Sequence, residues 1–293
     1  MNPAILLAFA DESTLARDLA RALDLPLGWI ECHRFPDGEL RLRLPPALPA
    51  EVLLLRGLHP PNDRLIEILI CAPAARELGA RTVALACPYL AYMRQDMAFT
   101  PGEAVSQRHV AGLLAGTVDA LVTIDPHLHR IASLDEVMPG RRTRTVSAAP
   151  LLAAWAARHA HNPVLLGPDE EAQQWVAEAG RAHGLTHAVC RKRRLGDRDV
   201  RIELPAVDLA GRAVVLMDDV ASTGRTLIEA AAACFAAGAA TVDVAVTHAL
   251  FVGDAVSALH AAGVRHIWSS DSVAHACAVV SVAPLLAEAV RSL

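Results

Sequence analysis

The chain has 293 residues, more than one ordinary domain of about 100–150 residues, and it is 53% hydrophobic with only 4% aromatic side chains. A formal net charge of −5 supplies no global basic field for nucleic acid. The uncharged stretch 272–287 contains His, Ser and Pro and is too short to span a membrane, and the N-terminus has no basic leader, so a cytoplasmic protein is expected. Six scattered cysteines without a Cys-x-x-Cys pair read as reduced thiols in apolar surroundings.

Short apolar runs alternate with Ala/Leu-rich helical runs in chain order. The pattern predicts strands over 5–9, 52–55, 83–87, 121–125, 164–167, 213–217, 242–247 and 266–268. It predicts helices over 14–23, 62–78, 104–115, 148–160, 170–183, 226–237 and 284–292. Such alternation argues an α/β fold with largely parallel sheets. One exception comes early, where Phe35-Pro-Asp-Gly38 lies between the extended runs 29–34 and 39–44 and predicts a β-hairpin.

The second half repeats the first. Val52-Leu-Leu-Leu-Arg-Gly57 leads to Leu65-Ile-Glu67 and then Gly79-Ala-Arg-Thr-Val83. Val214-Val-Leu-Met-Asp-Asp219 leads to Leu227-Ile-Glu229 and then Gly238-Ala-Ala-Thr-Val242, at offsets of 162 and 159 residues. The expected division is therefore two similar domains, 1–145 and 146–293, with the boundary after Pro139-Gly-Arg-Arg142.

The densest chemistry lies at Met217-Asp-Asp-Val-Ala-Ser-Thr-Gly-Arg-Thr226, at the carboxyl end of a predicted buried strand. Ligands of open α/β sheets bind at that edge. A Ser-Thr-Gly turn running into a helix N-terminus makes a nest of N–H donors for an anion, and the hydroxyls of Ser222, Thr223 and Thr226 add donors. Carboxylates beside a phosphate nest make sense when they face sugar hydroxyls or Mg²⁺. A ribose 5-phosphate answers both demands: Asp218 and Asp219 for the sugar, the turn 222–226 for its phosphate. The competing reading is a helix N-terminus capped by Ser222 or Thr223.

This segment resembles the phosphoribosyl-pyrophosphate-binding loop of type I phosphoribosyltransferase folds. Three further stretches narrow the resemblance to the ribose-phosphate pyrophosphokinases: Arg34-Phe-Pro-Asp-Gly-Glu39, Cys87-Pro-Tyr-Leu-Ala-Tyr-Met-Arg-Gln-Asp96 with Pro101-Gly-Glu-Ala-Val-Ser106, and Thr123-Ile-Asp-Pro-His127. Similarity runs essentially end to end, including Asn62-Asp63 and 281–290. The resemblance implies two tandem phosphoribosyltransferase-like domains, the second carrying the sugar site and the first contributing to ATP binding. It also implies transfer of the β,γ-diphosphoryl group of ATP to the 1-hydroxyl of ribose 5-phosphate, with Mg²⁺ as cofactor and a homo-oligomer, a dimer or dimer-built hexamer.

Residue by residue, the resemblance places Phe35, Asp37 and Glu39 at a hairpin tip that holds adenine and reaches a neighbouring subunit's site in the family. Arg94, Gln95 and Asp96 match its ATP-binding Arg-Gln-Asp, His127 and Asp169 its metal-associated residues, and Lys192 and Arg194 its flexible catalytic loop, here 191–198. Asp218, Asp219, Ser222, Thr223, Gly224, Arg225 and Thr226 match its ribose 5-phosphate loop. Taken alone, Asp169 is equally a helix cap, Arg94 a surface cation and the 191–198 cluster a solvated basic loop.

The chain also departs from the family pattern. Met97-Ala-Phe-Thr100 stands where many relatives are basic, which implies weak or absent regulation by phosphate or ADP. Ser222 replaces a common Asp, and Arg225 a common Gly, so the loop must work without that glycine's freedom. Two rival readings share the 218–226 loop: a phosphoribosyltransferase that consumes the diphosphorylated sugar, and a non-catalytic regulatory partner of an active enzyme.

Overall fold

A computed structural model describes residues 2–194 and 200–293. The chain divides into two compact units, Met1–Val146 with Val282–Leu293, and Ser147–Ser281.

In the first unit, β1 (Ile5–Phe9) leads to α1 (Ser13–Leu23), then β2 (Leu27–Arg34) and β3 (Leu40–Arg43). There follow β4 (Glu51–Leu55), α2 (Pro61–Glu77), β5 (Thr82–Cys87), α3 (Ser106–Thr117), β6 (Ala120–Ile124) and β7 (Arg142–Val146). The seven strands form one sheet in the order β3-β2-β1-β4-β5-β6-β7. All neighbours are parallel except β2 and β3, which form the predicted hairpin in register Arg34↔Leu40. The apolar run Val52–Leu55 is almost wholly buried, as a strand covered on both faces requires. α1 turns Leu15, Ala16, Leu19 and Ala20 inward at helical spacing and ends at Asp24, which takes the left-handed conformation.

The second unit contains α4 (Ala149–His159), β8 (Val164–Gly167), α5 (Gln173–His183), β9 (His187–Val189), β10 (Arg191–Arg194) and β11 (Val200–Glu203). It continues through β12 (Ala213–Ala221), α6 (Arg225–Ala236), β13 (Thr241–Ala249), α7 (Ala255–Ala261), β14 (Ile267–Ser270) and β15 (Ala278–Val280). Its main sheet is wholly parallel, in the order β15-β14-β13-β12-β8-β9. Val214, Leu216, Val244 and Val246 pack with Leu227, Ala230 and Ala231 of α6 on one face. Val215, Met217 and Ala245 pack with Leu152, Ala156, Trp175 and Val176 on the other. Omitting β3, the two sheets have one strand order, in which β4 corresponds to β12 and β5 to β13, as the sequence repeat requires.

Three differences from the expected elements have physical reasons. The last helix, α8 (Ala283–Arg291), packs on α1, β6 and β7 of the first unit, so 282–293 leaves the domain expected over 146–293. Its buried stripe of Ala283, Leu286, Ala287 and Val290 suits either sheet by pattern alone. The expected strand 213–217 runs on to Ala221, because Val220 and Ala221 continue the ladder with His248 and Ala249. The edge strand β7, Arg142-Thr-Arg-Thr-Val146, is too polar, and the three-residue β9 and β15 and the seven-residue α7 too short, to stand out in the apolar pattern.

All six cysteines are free thiols. Burial pushes Cys71 and Cys190 up to about 12, which leaves them inert packing groups. Among the described residues no helix is long and apolar enough to cross a membrane.

Candidate active site

The acid pair sits where β12 reaches its carboxyl end. Asp219 is buried, Asp218 half-buried, and the Asp219 N–H donates to Asp218 Oδ1 at 3.0 Å. Burial raises the Asp218 carboxyl well above the ordinary range, and the charges of Asp219 and Asp169 add to the rise. Asp169 follows β8, the next strand of the same sheet. Burial raises it too, then Glu171, while Lys192 acts in the opposite direction. Three acids thus meet at one sheet edge at an electrostatic cost that a cation or sugar hydroxyls would relieve.

The turn after β12 is anchored rather than free. Leu250 N–H donates to Ala221 O at 2.9 Å and Val252 N–H to Ser222 O at 3.2 Å. Gly224 takes φ +73 as the residue preceding α6, where a side chain would strain the backbone. The N-cap position of this helix falls on Gly224, which has no side chain, so neither Ser222 nor Thr223 fulfils the capping reading. The first-turn N–H groups of a helix lack intrahelical partners, and here they follow a hydroxyl-bearing turn. Thr223 and Arg225 are exposed, Ser222 and Thr226 half-buried. Arg225 opens α6 in ordinary helical conformation and so has no need of glycine's freedom.

Asp169 does act as a cap: its Oδ1 accepts from Glu171 N–H at 3.1 Å and starts the short 3₁₀ turn Glu170–Ala172. A second carboxylate oxygen remains for other chemistry. Lys192 is exposed on β10, whose backbone pairs with β11 through Lys192↔Ile202. The expected catalytic loop 191–198 therefore begins as one strand of a two-stranded ribbon. Positions 195–199, like the side chain of Arg194, lie outside the described residues.

In the first unit, the hairpin tip closes through Phe35 N–H to Glu39 O at 2.8 Å and Gly38 N–H to Phe35 O at 2.9 Å. Asp37 Oδ1 accepts from Glu39 N–H at 3.1 Å, and Phe35 is exposed against His33, edge to face with ring centroids 4.9 Å apart. Arg94 is exposed, and Gln95 donates to Met97 O at 3.0 Å. The Asp96 carboxylate lies 3.4 Å from the Arg130 guanidinium. His127 follows the carboxyl end of β6, past Asp125 at φ +33, and its Nε2 lies 2.7 Å from Nε2 of His129.

Two features escaped the sequence reading. His129 is a second imidazole beside His127, and the His-x-His spacing was the available signal. The other is a cluster around Arg56, the first residue after β4. Arg56 is only 3% exposed, donates to Glu67 and Asp11 at 2.6 Å each and to Glu12 at 3.1 Å, and stacks over Phe9. Its alignment with Asp218 through the Leu-Ile-Glu repeat was the signal there.

Residues 4–117 match the N-terminal domain of ribose phosphate pyrophosphokinase, and residues 146–270 match the phosphoribosyl transferase domain. The chain is 40% identical to the ribose-phosphate pyrophosphokinase of Methanopyrus kandleri over 99% of both sequences. This chain belongs to the ribose-phosphate pyrophosphokinase family. It is 36% identical to the Halobacterium salinarum member, over 97% of this chain and 100% of that one. The crystal structure of phosphoribosylpyrophosphate synthetase from Mycobacterium smegmatis covers 98% of each chain at 25% identity, with a TM-score of 0.83.

Proposed function

We propose that this pyrophosphokinase transfers the β,γ-diphosphoryl group of ATP to ribose 5-phosphate, giving 5-phosphoribosyl 1-pyrophosphate and AMP. The observation that carries the reading is the acid pair Asp218-Asp219, half-buried and buried, ahead of an α6 whose N-cap is a glycine, in a chain that matches the family from end to end. Asp218 and Asp219 would accept hydrogen bonds from the ribose hydroxyls. The turn 222–226, with Arg225, would hold the 5-phosphate.

In the transfer, the sugar 1-hydroxyl releases its proton to solvent as O1 forms a bond to the β-phosphorus, the bond from that phosphorus to the α,β-bridging oxygen breaks, and AMP departs. Lys192, Arg194 and Arg94 would neutralise charge on the transferring group, which is most of what a protein contributes to such chemistry. Phe35, Asp37 and Glu39, with Arg94, Gln95 and Asp96, are the proposed ATP contacts. The carboxylates of the second unit suit a hard divalent cation, and Asp169 and His127 are the residues that would hold Mg²⁺. When bound, that ion would screen the phosphoryl oxygens. A cytoplasmic homo-oligomer completes the reading.

A phosphoribosyltransferase would need the sugar loop alone. The match of residues 4–117 to the pyrophosphokinase N-terminal domain favours the synthetase reading over that rival. The test is incubation with ATP, Mg²⁺ and ribose 5-phosphate. Sugar-dependent release of AMP is expected; its absence across a range of metal and phosphate concentrations would overturn the assignment.

A further inference from the structure

The first turn of α2 occupies the place, one repeat earlier, of the phosphate loop in the second unit: Asn62 aligns with Gly224 and Asp63 with Arg225. It cannot serve the same purpose. Pro60 and Pro61 offer no N–H donors, and the Asp63 carboxylate would repel an anion. The side chains of Asn62 and Asp63 instead each hold a different segment. Asp63 Oδ2 accepts from Arg34 at 2.7 Å, and the same guanidinium donates to Gly38 O at 3.2 Å, which ties the hairpin tip to the helix. Asn62 Oδ1 accepts from the Tyr92 hydroxyl, and Tyr92 takes the left-handed conformation at φ +68 two residues before Arg94. A cavity of about 320 Å³ lies between tip and helix, lined by Gly38, Glu39, Leu40, Asp63, Ile66 and Ile70.

We infer that Asn62 and Asp63 are positioning residues that fix both ATP-contacting segments, 35–39 and 94–96, to one helix turn without touching the nucleotide. The inference rests on the ATP reading of those segments. Both members of the Arg34–Asp63 pair are about half exposed, so the bond adds little to stability, and its effect falls on where the tip sits. A non-glycine residue held at positive φ beside the second segment is the kind of local strain found where geometry matters for function.

The test is equilibrium binding of ATP, with steady-state kinetics, for the unaltered chain and for Asp63→Ala, Asn62→Ala and Arg34→Ala. Asp63→Ala is expected to raise the Kd and KM for ATP about 5- to 10-fold, leaving kcat, the KM for ribose 5-phosphate and Tm nearly unchanged. Asp63→Glu should recover part of the loss. Arg34→Ala and Asp63→Ala should combine non-additively, because they break one bond. ATP affinity untouched by Asp63→Ala, or a fall shared equally by both substrates, overturns the positioning role alone. Failure of the unaltered chain to bind ATP overturns the ATP reading and the inference together.

Discussion

The two units end the same strand in opposite ways. β4 runs out into Arg56-Gly57, and β12 carries Asp218-Asp219 at the equivalent positions. Arg56 is enclosed by its own partners. Burial works against its charge, but Asp11, Glu12 and Glu67 outweigh that and hold it firmly protonated. Glu67 is 5% exposed within this cluster, whereas Glu229, its counterpart in the repeat, is exposed. At the second edge the acids crowd one another, and Asp218 rises through burial with Asp219 and Asp169 beside it. The loops diverge likewise: prolines have removed N–H donors from one, while Gly224 opens the other into a helix N-terminus. A duplicated sheet thus offers two equivalent edges, and a satisfied charge cluster closes one while strained acids keep the other suited to a ligand.

The closed edge is the easier to break. Arg56→Met would leave Glu12 and Glu67 buried without their cation and lower unfolding free energy by on the order of 3–5 kcal/mol, read by urea denaturation. A loss under about 1 kcal/mol would mean that the cluster is not what closes this edge. At the other edge, Lys192→Ala should lower kcat roughly 100-fold with little change in ATP binding. An equal fall in both would make Lys192 a binding residue.

Asp218→Asn should separate stability from activity. Asp218 has a folded-state pKa above that of an unstructured carboxyl, so its contribution to stability is present at low pH and is lost as pH rises through the folded value. The ligand-free variant should therefore melt a few degrees higher at neutral pH and lose part of the decline on the alkaline side. Its kcat/KM for ribose 5-phosphate should drop about 10- to 100-fold. Equal melting temperatures from pH 4 to 8 would remove the strain from this account.

Most of the layer order was legible in the sequence because fully buried parallel strands such as Val52–Leu55 and Val164–Gly167 are unbroken apolar runs. The hairpin was legible from Pro36-Asp-Gly38, where turn chemistry is local. The docking of α8 was not, since one amphipathic stripe says nothing about which sheet it will cover. At the second edge, the acids and the turn could be read as a ligand cradle from residue type and spacing. The closure of the first edge could not, because it depends on Asp11, Glu12, Arg56 and Glu67 converging from separate elements.

The remaining two changes probe the cradle more gently. Gly224→Ala would force a Cβ into the left-handed region at a cost of about 1 kcal/mol, with ordinary van der Waals room around it. The expected result is a small drop in Tm and a several-fold rise in KM for ribose 5-phosphate, checked by melting curves and initial rates. No change in either would mean that the turn tolerates another conformation.

Arg225→Gly should have the smallest effect and the most to say about the comparison. A cation at the first position of α6 faces the positive end of the helix dipole, an unfavourable placement that a bound anion would reverse. Its counterpart Asp63, near the start of α2, has the sign the dipole favours and already pairs with Arg34. Replacing Arg225 with glycine should therefore leave the ligand-free Tm nearly unchanged while raising the KM for ribose 5-phosphate about 3-fold, the difference shrinking as salt is added. A KM that stays level would make Arg225 a solvated surface charge and leave phosphate recognition to the backbone of the turn and its hydroxyls.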